Sequence, residues 1–217
     1  MTFFRPILLS VLLCLTLAAP GIQAQTPPTP VFGRDFVRLD PLQPVASGDQ
    51  VEVIEFFYYG CPICYELEPA LSGWILKMRD SVTVRRVPAL ATSRWENFAK
   101  LYYTLEALNE LGRLHWPVYD NVHATAIELN KESVMLDWVS GNGIDRQKFI
   151  DVYGSTAIQE KVAAARETIR KYGVRGVPSV VVDGKYLTSS RIAGSTKKLM
   201  QVLDYLVDRA RSERKGS

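Results

Sequence analysis

The sequence predicts an α/β fold interrupted by an inserted all-helical domain. Three observations carry that prediction: a strand, helix and strand in succession over residues 51–88, a stretch from 93 to 153 with helical but no convincing strand patterning, and a hairpin followed by an amphipathic helix near the C-terminal end. At 217 residues, 47% hydrophobic and 23% charged, the chain has the composition of a globular protein with a real core.

In chain order, residues 1–24 read as a signal peptide. Arg5 precedes the apolar run Ile7 to Ala19, and Ile22-Gln23-Ala24 resembles a peptidase site, so export with cleavage near Ala24 is expected. That run falls short of the roughly 20 apolar residues needed to span a bilayer. Residues 25–50 carry "TPPTP" and little periodicity, as an exposed N-terminal extension would. The first part of the α/β domain, 51–92, opens with a strand over Val51 to Tyr58, apolar on both faces after Glu52 as in a central strand. A helix is predicted to begin at or just after Cys61. Pro62 suits its first turn, Leu67, Leu71, Trp74, Ile75 and Met78 extend an apolar face, and Pro69 should kink it. Ser81 to Pro88 reads as a second strand, parallel to the first through a right-handed crossover.

The helical insertion, 93–153, begins with a stripe from Trp95 to Leu108 that Gly112 should end, followed by pieces near 118–130, 131–139 and 145–152. The second part of the α/β domain, 154–211, starts with a helix capped by Ser155 and stopped by Gly173. "GVPSVVVDGKYLTSS" then reads as a hairpin turning at Asp183-Gly184, where positive φ costs little. Ser195 should cap the last helix, and residues 212–217 read as a flexible tail. The formal charge of +3 falls to +2 once Arg5 leaves with the signal peptide. That balance is too weak to argue for nucleic acid, and no basic stripe interleaved with aromatics appears.

The chemistry concentrates in "FFYYGCPICYE", residues 56–66. With Cys14 removed in the signal peptide, Cys61 and Cys64 are the only cysteines left. Three readings compete. A disulfide staple closing so short a ring stabilises by only about 2 kcal/mol on chain entropy. A zinc site needs about four ligands, and the other soft candidates, His115 and His123, lie far away and read as packing or surface residues. A redox pair has a mechanism: unpaired N–H groups and the macrodipole at a helix start stabilise a thiolate on Cys61. Because that thiolate exists only in the dithiol form, it favours the reduced protein and makes the disulfide more oxidising.

Two separated segments, "VIEFFYYGCPICYELEP" at 53–69 and "YGVRGVPSVVVDGKY" at 172–186, closely resemble the DsbA family of periplasmic thiol:disulfide oxidoreductases. The order of elements matches over about 50–211. The resemblance implies a thioredoxin-like fold with an inserted all-helical domain, and by position it casts Cys61 as the exposed nucleophile and Cys64 as its buried partner. Pro178 takes the place of the family's cis-proline with Val177 before it, where backbone groups bond an extended substrate. Glu55 takes the place of a buried acid with a raised pKa that exchanges a proton with Cys64. Arg85 or Arg86 is a candidate basic partner for Glu55; strand alternation alone does not say which faces inward.

Two departures stand out. The family's usual dipeptide is Pro-His, whereas this chain has Pro62-Ile63, which removes a donor beside the Cys61 sulfur and should make the disulfide less oxidising. Pro69 is closer to thioredoxin itself. The expected function is donation of the Cys61-Cys64 disulfide to reduced, newly exported proteins, with no cofactor beyond that disulfide and no metal. Recharging is expected from a membrane quinone-linked oxidase of the DsbB type, acting on a monomer. Tyr58, Tyr59 and Tyr65 are candidates to line a groove for substrates. The alternatives are an isomerase or reductase kept in the dithiol form, against which the short extension argues, and a non-enzymatic chaperone or binding module.

Overall fold

The structure, a computed structural model, describes residues 28–216, so the expected signal peptide lies outside the described residues. Five strands form one sheet in the order β1-β5-β4-β2-β3: β1 (Val37–Arg38), β2 (Val51–Phe57), β3 (Val82–Pro88), β4 (Ser179–Val182) and β5 (Tyr186–Thr188). Central β2 pairs in parallel with β3 and antiparallel with β4, and all seven of its residues are buried. This is the environment its run of β-branched and aromatic residues requires. Helix α1 (Pro62–Met78) makes the crossover from β2 to β3. It continues through Pro69 as a single helix.

Strand alternation divides the interior into two layers. Val51 and Val53 of β2 and Val180 and Val182 of β4 face Leu67, Leu71 and Trp74 of α1 and the apolar stripe of α8 (Thr196–Lys215). Ile54, Phe56 and Val181 face the other way, onto the helical insertion. That insertion comprises α2 (Ser93–Ala107), α3 (Leu111–His123), α4 (Glu132–Gly141) and α5 (Arg146–Tyr153), and α6 (Thr156–Lys171) leads back to β4. Ser155 and Ser195 cap α6 and α8 as their sequence contexts predict, each hydroxyl accepting from an N–H three residues on. A short helix, α7 (Ser190–Ala193), links β5 to α8.

The structure departs from the sequence reading at three places. The extension contributes β1, which pairs antiparallel with β5, and Phe36 beside it is fully buried. Asp35 is buried there as well, accepting from Val31 N–H at 2.8 Å and from Lys198 Nζ at 2.6 Å. Second, α2 ends at Ala107 and Asn109 adopts φ +61°, so α3 begins at Leu111 with Gly112 inside its first turn. The helical piece expected over 118–130 is therefore the end of α3 followed by a loop. Third, the tail expected to be flexible is helical to Lys215. Arg214 Nε donates to Asp183 at 2.9 Å and its Nη1 donates to the Gly48 carbonyl at 2.6 Å, while Glu213 accepts from the Tyr186 hydroxyl at 2.5 Å.

Candidate active site

Cys61 is the N-cap of α1, with extended backbone (φ −92°, ψ 117°), and Pro62 opens the first turn. Its own N–H donates to the Tyr58 carbonyl at 2.9 Å, closing the turn that delivers the chain from β2 into the helix. The cap position aims the helix's unpaired donors at the Cys61 sulfur. The Cys64 thiol bonds to that sulfur and, against the effect of partial burial, the backbone N–H groups of Cys64 and Ile63 add to it, so the Cys61 thiol is pulled down to about 6. Cys64, one turn in, is fully buried. Burial pushes its thiol far up, and its bond to Cys61 and the charge there push the same way. Both cysteines are free thiols in the structure.

Across the fold, the Val177-Pro178 peptide is cis, as is Asp40-Pro41. The Val177 carbonyl oxygen lies 3.7 Å from Cys61 Sγ. Beside this contact runs a groove of about 890 Å³ lined by Ile63, Val177 and Pro178, with Leu39, Leu187 and Ile192 among its other apolar residues. Ile63 is 51% exposed. The three tyrosines considered for such a groove lie elsewhere. Tyr59 is in the core, its hydroxyl 2.7 Å from His115 Nδ1; Tyr58 stacks on Trp95; Tyr65 stacks between Trp116 and His123. Their rings pack on residues of the helical insertion, Trp95 of α2 and His115, Trp116 and His123 of α3.

Beneath the cysteines, Glu55 is buried and its carboxyl is pushed up to about 7 by burial, with Arg86 opposing and Glu68 adding to the shift. The parallel register settles the choice of basic partner: Glu55 pairs with Arg86 and Ile54 with Arg85. Arg86 Nε therefore donates to Glu55 at 2.8 Å, while Arg85 faces Glu52 on the other side at 3.8 Å. Arg86 Nη2 also donates to Glu68 at 2.8 Å, and Glu68 in turn faces His115 Nε2 at 3.5 Å. Burial holds the His115 pKa below the ordinary value.

Sequence reasoning missed Glu68 and the burial of His115. Glu68 carried a signal: it falls four residues after Cys64 and three before Leu71, on the face of α1 that turns inward. His115 carried none, because its position beneath β2 depends on how α3 docks.

A thioredoxin-type sheet that presents one acidic thiol at a helix start, backed by a buried second thiol, defines a class: thiol:disulfide oxidoreductases. Comparison with known proteins narrows it. The family model for the DSBA-like thioredoxin domain matches residues 85–204. The thiol:disulfide interchange protein DsbA of Azotobacter vinelandii is 36% identical over 211 residues, covering 96% of this chain and 99% of that protein. The Burkholderia cepacia protein of the same name is 35% identical, covering 97% and 99% respectively. The crystal structure of Pseudomonas aeruginosa DsbA superposes with a TM-score of 0.81 at 33% identity, covering 85% of this chain and 96% of that one. The chain belongs to the DsbA family, and it is a protein thiol:disulfide oxidoreductase of thioredoxin-like fold.

Proposed function

We propose that Cys61 and Cys64, oxidised to a disulfide, are the donor pair through which this enzyme oxidises reduced, newly exported proteins in the periplasm. The observation that carries this is the asymmetry of the two sulfurs, one drawn down to about 6 and the other pushed far above the ordinary thiol range. A substrate thiolate attacks Cys61 Sγ; the Cys61–Cys64 bond breaks, its electron pair goes to Cys64, and Cys64 takes a proton from the Glu55 carboxyl. A second substrate thiol, as thiolate, then attacks the first substrate sulfur. Cys61 leaves as the thiolate that the helix start stabilises, and the substrate has lost two electrons and two protons. The electrons reside in the cysteine pair, and no other cofactor is invoked.

Glu55 is the proton donor because burial brings its pKa near neutrality, and Arg86 and Glu68 position it. Val177 and Pro178 are the substrate-binding residues, the former's backbone meeting an extended peptide beside Cys61. The leader at 1–24 directs export and is removed near Ala24. The enzyme works as a monomer and is recharged by a membrane quinone-linked oxidase of the DsbB type. The test is the equilibrium of Cys61/Cys64 with glutathione. A disulfide more oxidising than the glutathione couple supports donation; one much more reducing would instead mark a reductase.

A further inference from the structure

The groove beside Cys61 is lined by more arginines than carboxylates. Among the described residues, every arginine except Arg38, Arg94, Arg175 and Arg191 has a carboxylate within ion-pair distance. Three of those four, Arg38 from β1, Arg175 from the loop before Val177, and Arg191 from α7, line this one groove. All three are exposed. The fourth, Arg94, is close enough to Tyr58, three residues before Cys61, to draw its phenol pKa down against burial. Two carboxylates, Asp40 and Glu66, also line the groove, and neither is paired with these arginines. Elsewhere among the described residues the fold matches its guanidinium groups to carboxylates, Arg94 excepted. On the face that receives substrate it leaves them free, around an apolar floor formed by Leu39, Leu187 and Ile192.

We infer that this groove selects acidic client segments: an extended peptide that seats an apolar side chain on the floor and presents Asp or Glu to Arg38, Arg175 and Arg191. The guanidinium fork accepts a carboxylate bidentately, and a cleft whose three arginines outnumber its two carboxylates carries a net positive charge that raises the association rate of acidic segments. The inference rests on the donor reading above and assigns that site its client class.

The experiment uses the oxidised enzyme and three cysteine-containing peptides identical except for flanking residues that are Glu, Ala or Lys. Oxidation of each is followed by stopped flow at low and at high salt, with glutathione as a thiol that does not need the groove. Acidic flanks should raise the second-order rate constant about tenfold over lysine flanks at low ionic strength, and added salt should erase most of the difference. Replacing Arg38, Arg175 and Arg191 together by Gln should bring the acidic-to-lysine ratio close to one. Equal rates for the three peptides, or a preference for lysine, overturns the inference while leaving the donor reading intact. Failure to oxidise glutathione and every peptide would instead sink the donor reading. The salt dependence of the unmodified enzyme decides the question even if the triple variant does not fold.

Discussion

At Cys61 the decisive comparison is between two sulfurs a helical turn apart. Cys61 accepts from the Cys64 thiol and from backbone donors at the cap, whereas Cys64 is buried and gives up its hydrogen bond to Cys61, so the same element gives opposite shifts. Ile63 should test how much donor capacity remains unused. An Ile63→His variant places an imidazole beside the sulfur, and ultraviolet titration of the thiolate should return a Cys61 pKa lower than the parent's; an unchanged or higher value contradicts the account. Glu55 supplies a second pH signature. Its carboxyl holds its proton below about 7 and loses it above, so release of Cys64 from the disulfide should slow as pH rises through that value. In Glu55→Gln the dependence should flatten, which stopped-flow reaction with a small thiol at several pH values would reveal. At this scale the helix start at the cysteines was legible in the CxxC motif, and the burial of Glu55 and the cis bond before Pro178 in the two segments that carry the family resemblance. The choice of Arg86 over Arg85 was not, since it depends on strand register.

The hairpin and the serine caps, whose chemistry is local, were read correctly, whereas β1 and the end of α8, which depend on tertiary partners, were not. The hairpin at Asp183-Gly184 needs left-handed backbone, and both residues have it, with φ +55° and +61°. Gly184 is needed twice over, because a Cβ there would collide with the Gln43 carbonyl. Gly184→Ala should therefore cost more than about 1 kcal/mol in denaturant unfolding, the sum of the lost left-handed freedom and the clash. Strand β1 escaped notice for the opposite reason. Two residues give no period, and what holds them is Phe36 in the core and Asp35 bonded to Lys198, 163 positions away. The bonds from Arg34, Lys198 and Val31 hold the Asp35 carboxyl well below the usual range. A depressed carboxylate adds stability that is complete above its unfolded pKa of about 3.9 and is lost as pH falls toward the folded value. Asp35→Ala should thus cost about 1.5–3 kcal/mol at neutral pH, the worth of charge-assisted bonds whose Lys198 and Arg34 partners can still reach solvent, and much less near pH 2. Acid titration of unfolding for both proteins checks it. The end of α8 is the same lesson: its charges looked like a solvated tail until the hairpin and Gly48 supplied partners.

Over the whole molecule, the sheet and its two helical layers matter to function because they press α1 against β2 and bring the Val177 loop opposite Cys61. The succession of elements was readable from their patterns, a strand, helix and strand followed by a helical block and a hairpin, which admits few arrangements. The groove charge was not, because Arg38, Arg175 and Arg191 come together only when β1, the Val177 loop and α7 meet.

The fold should favour the charged Cys61 of the dithiol over the bridged state, and unfolding of the reduced and oxidised proteins in urea at pH 5, 7 and 9 measures that preference. A plain staple of this length would make the oxidised protein more stable by about 2 kcal/mol at every pH. A Cys61 thiol held at about 6 adds about 1.4 kcal/mol to the reduced protein at pH 7 and about 3 kcal/mol above the ordinary thiol value of about 8.5, so the oxidised protein's lead should be full at pH 5, nearly gone at pH 7 and reversed at pH 9. An oxidised protein as far ahead at pH 9 as at pH 5 would contradict this.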